Sequence, residues 1–174
     1  MPRDGGNLFL DRDLATKIAN EDSTARPFIK RFVGSDELIN GRQRYCLWIE
    51  DREVDLAKKS KFIAHRLALV SENRKKSDAD STRLFAKQPY RFVQIAGSAE
   101  SNVIVVPRVS SENRAFLPVD YLTSNFIVGD RNFALYDAPL WNFALIASRL
   151  HWVWIGTVCV RMRTDFSYSS TLGW

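Results

Sequence analysis

Four polar residues fall at alternate positions near the middle of the chain: Arg108, Ser110, Glu112 and Arg114, within the run VPRVSSENR (106–114). In extended backbone they share one face, because side chains alternate with period two. A glutamate accepts a hydrogen bond from cytosine N4, and an arginine donates to guanine O6 and N7. A Glu/Arg pair two residues apart can thus meet both members of one C·G pair in a major groove. The same residues also describe a surface turn, with Glu112 and Arg114 as solvated charges and Ser110 or Ser111 as a cap. Residue types alone leave both readings open.

Catalytic chemistry would need its own constellation. His65 and His151 both lie in predicted helices, where a packed or solvated imidazole is the commoner role. No Gly-x-Ser-x-Gly elbow precedes a helix, and no glycine-rich loop follows a strand to cradle phosphate. Cys46, Cys159 and the two histidines lack the close spacing of a zinc site. The pairs Glu50/Asp51 and Glu53/Asp55 stand where they complement a helix dipole. No carboxylate pair beside a lysine fits a metal-dependent nuclease. No catalytic residue, metal ligand or cofactor is assigned within the chain. The expectation is a chain that binds.

Charge indicates what it could bind. The 174 residues carry a net +5, and residues 58–91 hold ten cations (Lys58, Lys59, Lys61, Arg66, Arg74, Lys75, Lys76, Arg83, Lys87 and Arg91) against Glu72, Asp78 and Asp80. That stretch is +7 and the rest of the chain −2. Such asymmetry favours a polyanionic partner, although a solvated lysine-rich helix face has the same composition. With 45% hydrophobic and 12% aromatic residues, the chain can bury a core, which excludes intrinsic disorder and fits one domain over 1–174. The start has no apolar segment of the secretory type. The most apolar stretch, 139–160, carries Asn142, Arg149 and His151, so it reads as a buried helix rather than a membrane span. Two cysteines 113 residues apart fit a reducing, cytoplasmic setting without a disulfide framework.

The elements that must position these residues make an α+β fold, a small mixed or antiparallel sheet packed with several helices. Helical spacing covers Asp11 to Asp22. Residues 26–33 predict a short helix with Pro27 in its first turn, closed by Gly34. Ser35 to Leu38 predicts a capped turn before Asn40-Gly41, and 42–50 a strand buried on both faces. One long basic helix is expected from Glu53 to about Ser77, with Ile63, Leu67 and Val70 inward and Lys59, Arg66 and Arg74 on other faces. A short helix follows over 81–87. Residues 92–96 and 102–106 predict one hairpin, and 126–128 with 132–136 another. A long C-terminal apolar helix is expected from Pro139 to about Arg163.

Several segments share a known pattern: DGGNLFL (4–10), RPFIKRFVGSDELINGRQRYCLWI (26–49), VIVVPRVSSENRAFLPVDYL (103–122) and SRLHWVWIGTVCVRMRTDFSYSS (148–170). In that order they resemble the target-recognition domain of MmeI-like restriction-modification enzymes and YeeA-type DNA methyltransferases. The resemblance implies a DNA sequence-recognition module, excised from a longer polypeptide that also carries an adenine-N6 methyltransferase and, in some members, a nuclease. It implies double-stranded DNA and the methyltransferase domain as partners. S-adenosylmethionine, and Mg for cleavage, would belong to that parent. The loop from Pro107 to Arg114 would face DNA, with Arg108, Ser110, Glu112 and Arg114 as base-contact candidates. Arg42, Arg44, Arg74, Lys75, Lys76, Arg83, Arg161 and Arg163 become candidates for the phosphate backbone, with Ser167 beside them. Arg42 and Arg44 serve equally well as scaffold. Phe143, Trp152 and Trp154 read as core. Two other classes stay in view: a protein-interaction or assembly domain whose basic face meets an acidic partner, and a small autonomous enzyme, which the missing constellation disfavours.

Overall fold

A computed structural model describes residues 4–95, 97–169 and 171. In chain order the elements are β1 (Phe9–Leu10), α1 (Arg12–Glu21), β2 (Ile29–Val33), α2 (Ser35–Asn40) and β3 (Arg44–Leu47). The helices α3 (Val54–Ala57), α4 (Lys61–Lys75) and α5 (Asp80–Leu84) follow. Next come β4 (Asn102–Pro107), β5 (Val109–Ser110), β6 (Asp120–Thr123), β7 (Phe126–Val128) and β8 (Asn132–Tyr136). The last elements are α6 (Leu140–Ala147), α7 (Arg149–Val158), β9 (Arg161–Met162) and β10 (Asp165–Ser167). The fold is α+β, built as two compact units: Met1–Phe32 with Gln43–Ala96, and Val33–Arg42 with Gly97–Trp174.

In the first unit β3 runs antiparallel to β1 and β2, with Cys46 opposite both Phe9 and Lys30. The predicted helix over 26–33 is instead a single 3₁₀ turn, Arg26–Phe28, leading into β2. Pairing of Ile29 with Leu47 and Phe32 with Arg44 outweighs the helix-start signal of Pro27. The long basic helix is also divided. Ser60 accepts the Ile63 N–H at 3.1 Å and donates to the Asp22 carboxylate at 2.6 Å, so its backbone is extended and α4 starts afresh. Ile63, Leu67 and Val70 pack with Leu8, Leu10, Phe28 and Leu47. The strand expected over 92–96 is irregular across 92–95, and Ala96 lies outside the described residues. Phe92 packs edge-on to Phe9 and stacks on Trp48 instead of pairing.

In the second unit β4 is the central strand, antiparallel to β6 on one side and β8 on the other. Its run Val103-Ile104-Val105-Val106 is buried on both faces, as continuous apolar strands are. Ile104 and Val106 meet Leu117, Ile146, Trp152 and Ile155, whereas Val103 and Val105 meet Val33, Ala99 and Val128. The strands expected at 126–128 and 132–136 form, but β8 pairs with β4 rather than with β7. The single long C-terminal helix does not form. Ser148 takes an extended conformation and its hydroxyl accepts the His151 N–H at 3.1 Å, which ends α6 and caps α7. The chain then turns into the β9–β10 hairpin, with β10 also paired to β5. Nor are these helices wholly buried: Trp152 is core and Phe143 packs against it, but Trp154 is exposed. No described helix is long and apolar enough to cross a membrane. Cys46 and Cys159 are free, buried thiols, and burial pushes the Cys46 thiol up.

The end of β8 carries an acid-sensitive brace. Asp137, in the left-handed region at φ 53°, accepts the N–H groups of Glu100, Ser101 and Asn102 and the Ser101 hydroxyl. Those donors hold its carboxyl at about 2, against 3.8 ordinarily. The stabilisation is therefore complete above pH ~4 and is lost as pH falls toward the folded value. Asp137→Asn, which tolerates the same backbone conformation, is expected to remove this dependence. The gap in thermal midpoint between wild type and variant should shrink from pH 5 to pH 2. A constant gap would show that the carboxylate's charge is not what braces the strand.

Candidate nucleic-acid interface

The loop after β4 is held by its backbone on two sides. Val106 and Pro107 are buried, and Arg108 is the first exposed residue. The Arg108 N–H donates to the Arg131 carbonyl at 3.3 Å, and its own carbonyl accepts the Tyr168 N–H at 2.8 Å. Its guanidinium lies 4.8 Å above the Phe133 ring, a cation–π contact that orients the side chain while leaving it accessible. Val109 and Ser110 then pair with Ser167 and Phe166 of β10.

The alternating face expected from the sequence ends at this point. Ser110 is buried, its hydroxyl without a hydrogen-bond partner among the described residues, so it is no base contact. Beyond it the chain turns: the Arg114 N–H donates to the Ser111 carbonyl at 3.2 Å, and the Asn113 N–H to the Ser111 hydroxyl at 3.4 Å. Glu112 and Arg114 consequently stand on a turn and do not continue the face of Arg108. The turn is fastened from behind by α7. The Trp152 indole N–H donates to the Arg114 carbonyl at 2.8 Å, and Arg149 donates to the carbonyl of Ala115. With its backbone thus engaged, Arg114 presents its side chain to solvent. Glu112 forms an ion pair with Arg161 of β9, whose guanidinium also lies 4.7 Å from the Phe166 ring centroid.

Sequence reasoning misses this fastening. Trp152 reads as core, and it is buried, but a buried indole N–H requires an acceptor, which is the available signal. Arg131 is missed too. Its carbonyl receives Arg108 and its side chain is exposed, which places another cation on the turn before β8.

The remaining candidates separate by what they touch. In the second unit Arg42 is exposed and pairs with Asp36 at 2.9 Å, and Arg163 sits exposed at the tip of the β9–β10 hairpin with φ 61°. Ser167 is part of β10, its N–H donated to the Val160 carbonyl. In the first unit Arg44 lies 4.0 Å above the Phe9 ring, a packing role. Arg83 donates to the carbonyls of Ser77 and Asp78 and pairs with Asp80, closing its own turn. Arg91 pairs with Asp51, and Glu50 with Arg52, which accounts for both members of one acidic pair.

Arg74 is a correction. Only 1% exposed, it donates to the carbonyls of Phe85, Gln88 and Arg91 at 3.1, 2.9 and 2.7 Å. It stands eleven residues after Ile63, on the same stripe as Leu67 and Val70, so it points inward and cannot meet a phosphate. Arg66 is half-buried, reaching the Asn7 carbonyl at 3.4 Å and lying 5.3 Å from the Phe62 ring centroid, so what remains of the basic stretch is six exposed lysines: Lys58, Lys59, Lys61, Lys75, Lys76 and Lys87. His65 is exposed, and His151 packs with its Nε2 3.0 Å from the Tyr168 hydroxyl. Among the described residues, no group of three His, Cys, Asp or Glu side chains is placed to hold a metal ion.

Three comparisons bear on this arrangement. The family model described as "MmeI, target recognition domain" matches residues 1–174. DNA methyltransferase A of Bacillus subtilis (strain 168) is 34% identical over 172 residues, covering 99% of this chain and 20% of that protein. A solved structure of the Type IIL restriction-modification enzyme MmeI in complex with DNA superposes with a TM-score of 0.85 at 29% identity, over 98% of this chain and 23% of that one. The chain spans about a fifth of the length of the curated relative it matches.

Proposed function

The chain belongs to the MmeI target-recognition-domain family, and from that premise we propose that it is the DNA sequence-recognition module of a longer adenine-N6 methyltransferase, with or without an attached nuclease. The observation that carries this reading is the turn after β5. Its backbone is tied down at Arg108, Arg114 and Ala115, while the side chains of Arg108 and Arg114 reach solvent and Glu112 stands beside Arg161. A rigid backbone presenting polar side chains is what base readout requires, since each contact depends on position. Arg108, Glu112 and Arg114 are the base-reading residues, and Arg42, Arg161 and Arg163 approach phosphates in the second unit. In the first unit the exposed lysines supply sequence-independent attraction.

Methyl transfer, with S-adenosylmethionine as donor, belongs to the catalytic region of the parent, as does Mg-dependent cleavage where a nuclease is present. The parent works in the cytoplasm, on double-stranded DNA.

Selection from a random duplex pool by the full-length polypeptide tests the central claim. An enriched motif is expected, and recovery of an unbiased pool would sink it. The lysines are tested separately. Changing Lys75, Lys76 and Lys87 together to Gln should weaken binding to all sequences equally. It should also flatten the log–log salt slope by up to about 2.7, at about 0.9 for each phosphate that is no longer neutralised. An unchanged slope removes this face from the interface without touching the selected motif.

A further inference from the structure

Helices α6 and α7 are apolar on both sides. The inner side of α7 packs Trp152, Ile155 and Cys159 against Ile104 and Val106. On its outer side Leu150, Val153 and Trp154 follow at i, i+3 and i+4, exposed by 81%, 53% and 53%. Trp141 and Leu145 of α6 are exposed by 62% and 59%, and Val160 and Met162, which follow α7 in the chain, by 72% and 58%. Between Leu140 and Val160 the only basic side chains are Arg149 and His151, and both are engaged, with the Ala115 carbonyl and the Tyr168 hydroxyl. By contrast the outward positions of α4 include Lys61, His65, Glu72 and Lys75.

A helix that is apolar all round is a buried helix, and a contiguous exposed apolar patch marks an interaction surface. DNA does not fit this surface, because phosphate needs cations that it lacks. The chain itself accounts for about a fifth of its curated relative and 23% of the solved enzyme, so most of such a polypeptide lies outside it, covalently tethered and at high effective concentration. We propose that the outer face of α6–α7 is an internal seam of the parent polypeptide, covered by an apolar face of the segments outside this chain. This rests on the chain being part of a longer polypeptide and is independent of which bases it reads.

The test uses the full-length polypeptide without DNA. Cysteine is introduced as Val153→Cys and, as an open reference, as Lys75→Cys. A thiol reagent is expected to label position 153 at least about tenfold more slowly than position 75, because a covered site waits on local opening. Equal rates overturn the proposal. Protection that disappears on dilution, in step with a dimer-to-monomer transition, assigns the face to a second copy and overturns it too. Protection that arises only on adding DNA does the same. A second variant, Leu150→Lys with Val153→Lys, changes only exposed positions. It is expected to lower the thermal midpoint of the full-length polypeptide and open it to trypsin, and an unchanged midpoint and digestion pattern would contradict the seam. A failed motif selection would leave all these outcomes readable.

Discussion

Replacing Arg74 by methionine is expected to destabilise the first unit by on the order of 3–5 kcal/mol, the range for breaking a buried charged interaction. Methionine fills much of the same space but orphans the carbonyls of Phe85, Gln88 and Arg91, which the guanidinium now satisfies. These three acceptors belong to the segment that follows α5, and Ser71 holds the same segment through the Ala86 carbonyl at 2.9 Å. Losing Arg74 therefore frees the segment as well as the helix. Arg74→Lys keeps the charge but cannot span three acceptors with a planar fork, so it should fall between methionine and wild type. Lys75→Met, one residue on and exposed, should stay within about 0.5 kcal/mol. Urea unfolding of the three variants checks the order. If Arg74→Met and Lys75→Met behave alike, the guanidinium is not a structural staple.

The second large effect concerns specificity. Exchanging polarity on the turn, Glu112→Lys with Arg114→Asp, is expected to change the preferred base pair at one position of the recognition sequence. The expected discrimination is about 1–3 kcal/mol, as for a good base contact. A carboxylate near DNA is repelled by phosphate and gains only where it meets a base donor, so the proposal that this turn faces DNA requires Glu112 to act by readout rather than by attraction. The ion pair with Arg161 neutralises the carboxylate, which makes its position compatible with a nearby polyanion. Glu112→Lys also sets two cations side by side, so Glu112→Gln is the milder companion, keeping the shape and removing the charge. Modification-site mapping in the full-length polypeptide provides the readout. An unchanged site with activity retained would make the turn structural. A changed site in both variants separates readout from repulsion at Arg161.

Much of this molecule is determined locally, and those parts are legible from residues alone. The Val103–Val106 run has too few polar atoms for any place but a central strand, and Gly41 at φ 68° ends α2 at the Asn40-Gly41 pair. The family pattern likewise identifies what the domain is for, since it lies in the order of residue types. Other features are present in the sequence but easily passed over. Ser60 and Ser148 are N-caps within apparently continuous helical runs, and Arg74 completes the stripe of Ile63, Leu67 and Val70.

The rest only the tertiary structure decided. Strand partners are non-local, and nothing near β8 says that β4, some thirty residues back, will outcompete β7. The face of the loop after β4 is set in the same way. Period-two alternation lasts only while the ladder to β10 supplies backbone partners, which ends at Ser110. Past that point Trp152 and Arg149, about 35 residues further along the chain, claim the carbonyls of Arg114 and Ala115 and fix the turn. The sequence specifies which chemical groups are available. Which of them face solvent follows from distant hydrogen bonds, because a buried donor left without an acceptor costs more than the turn needed to provide one.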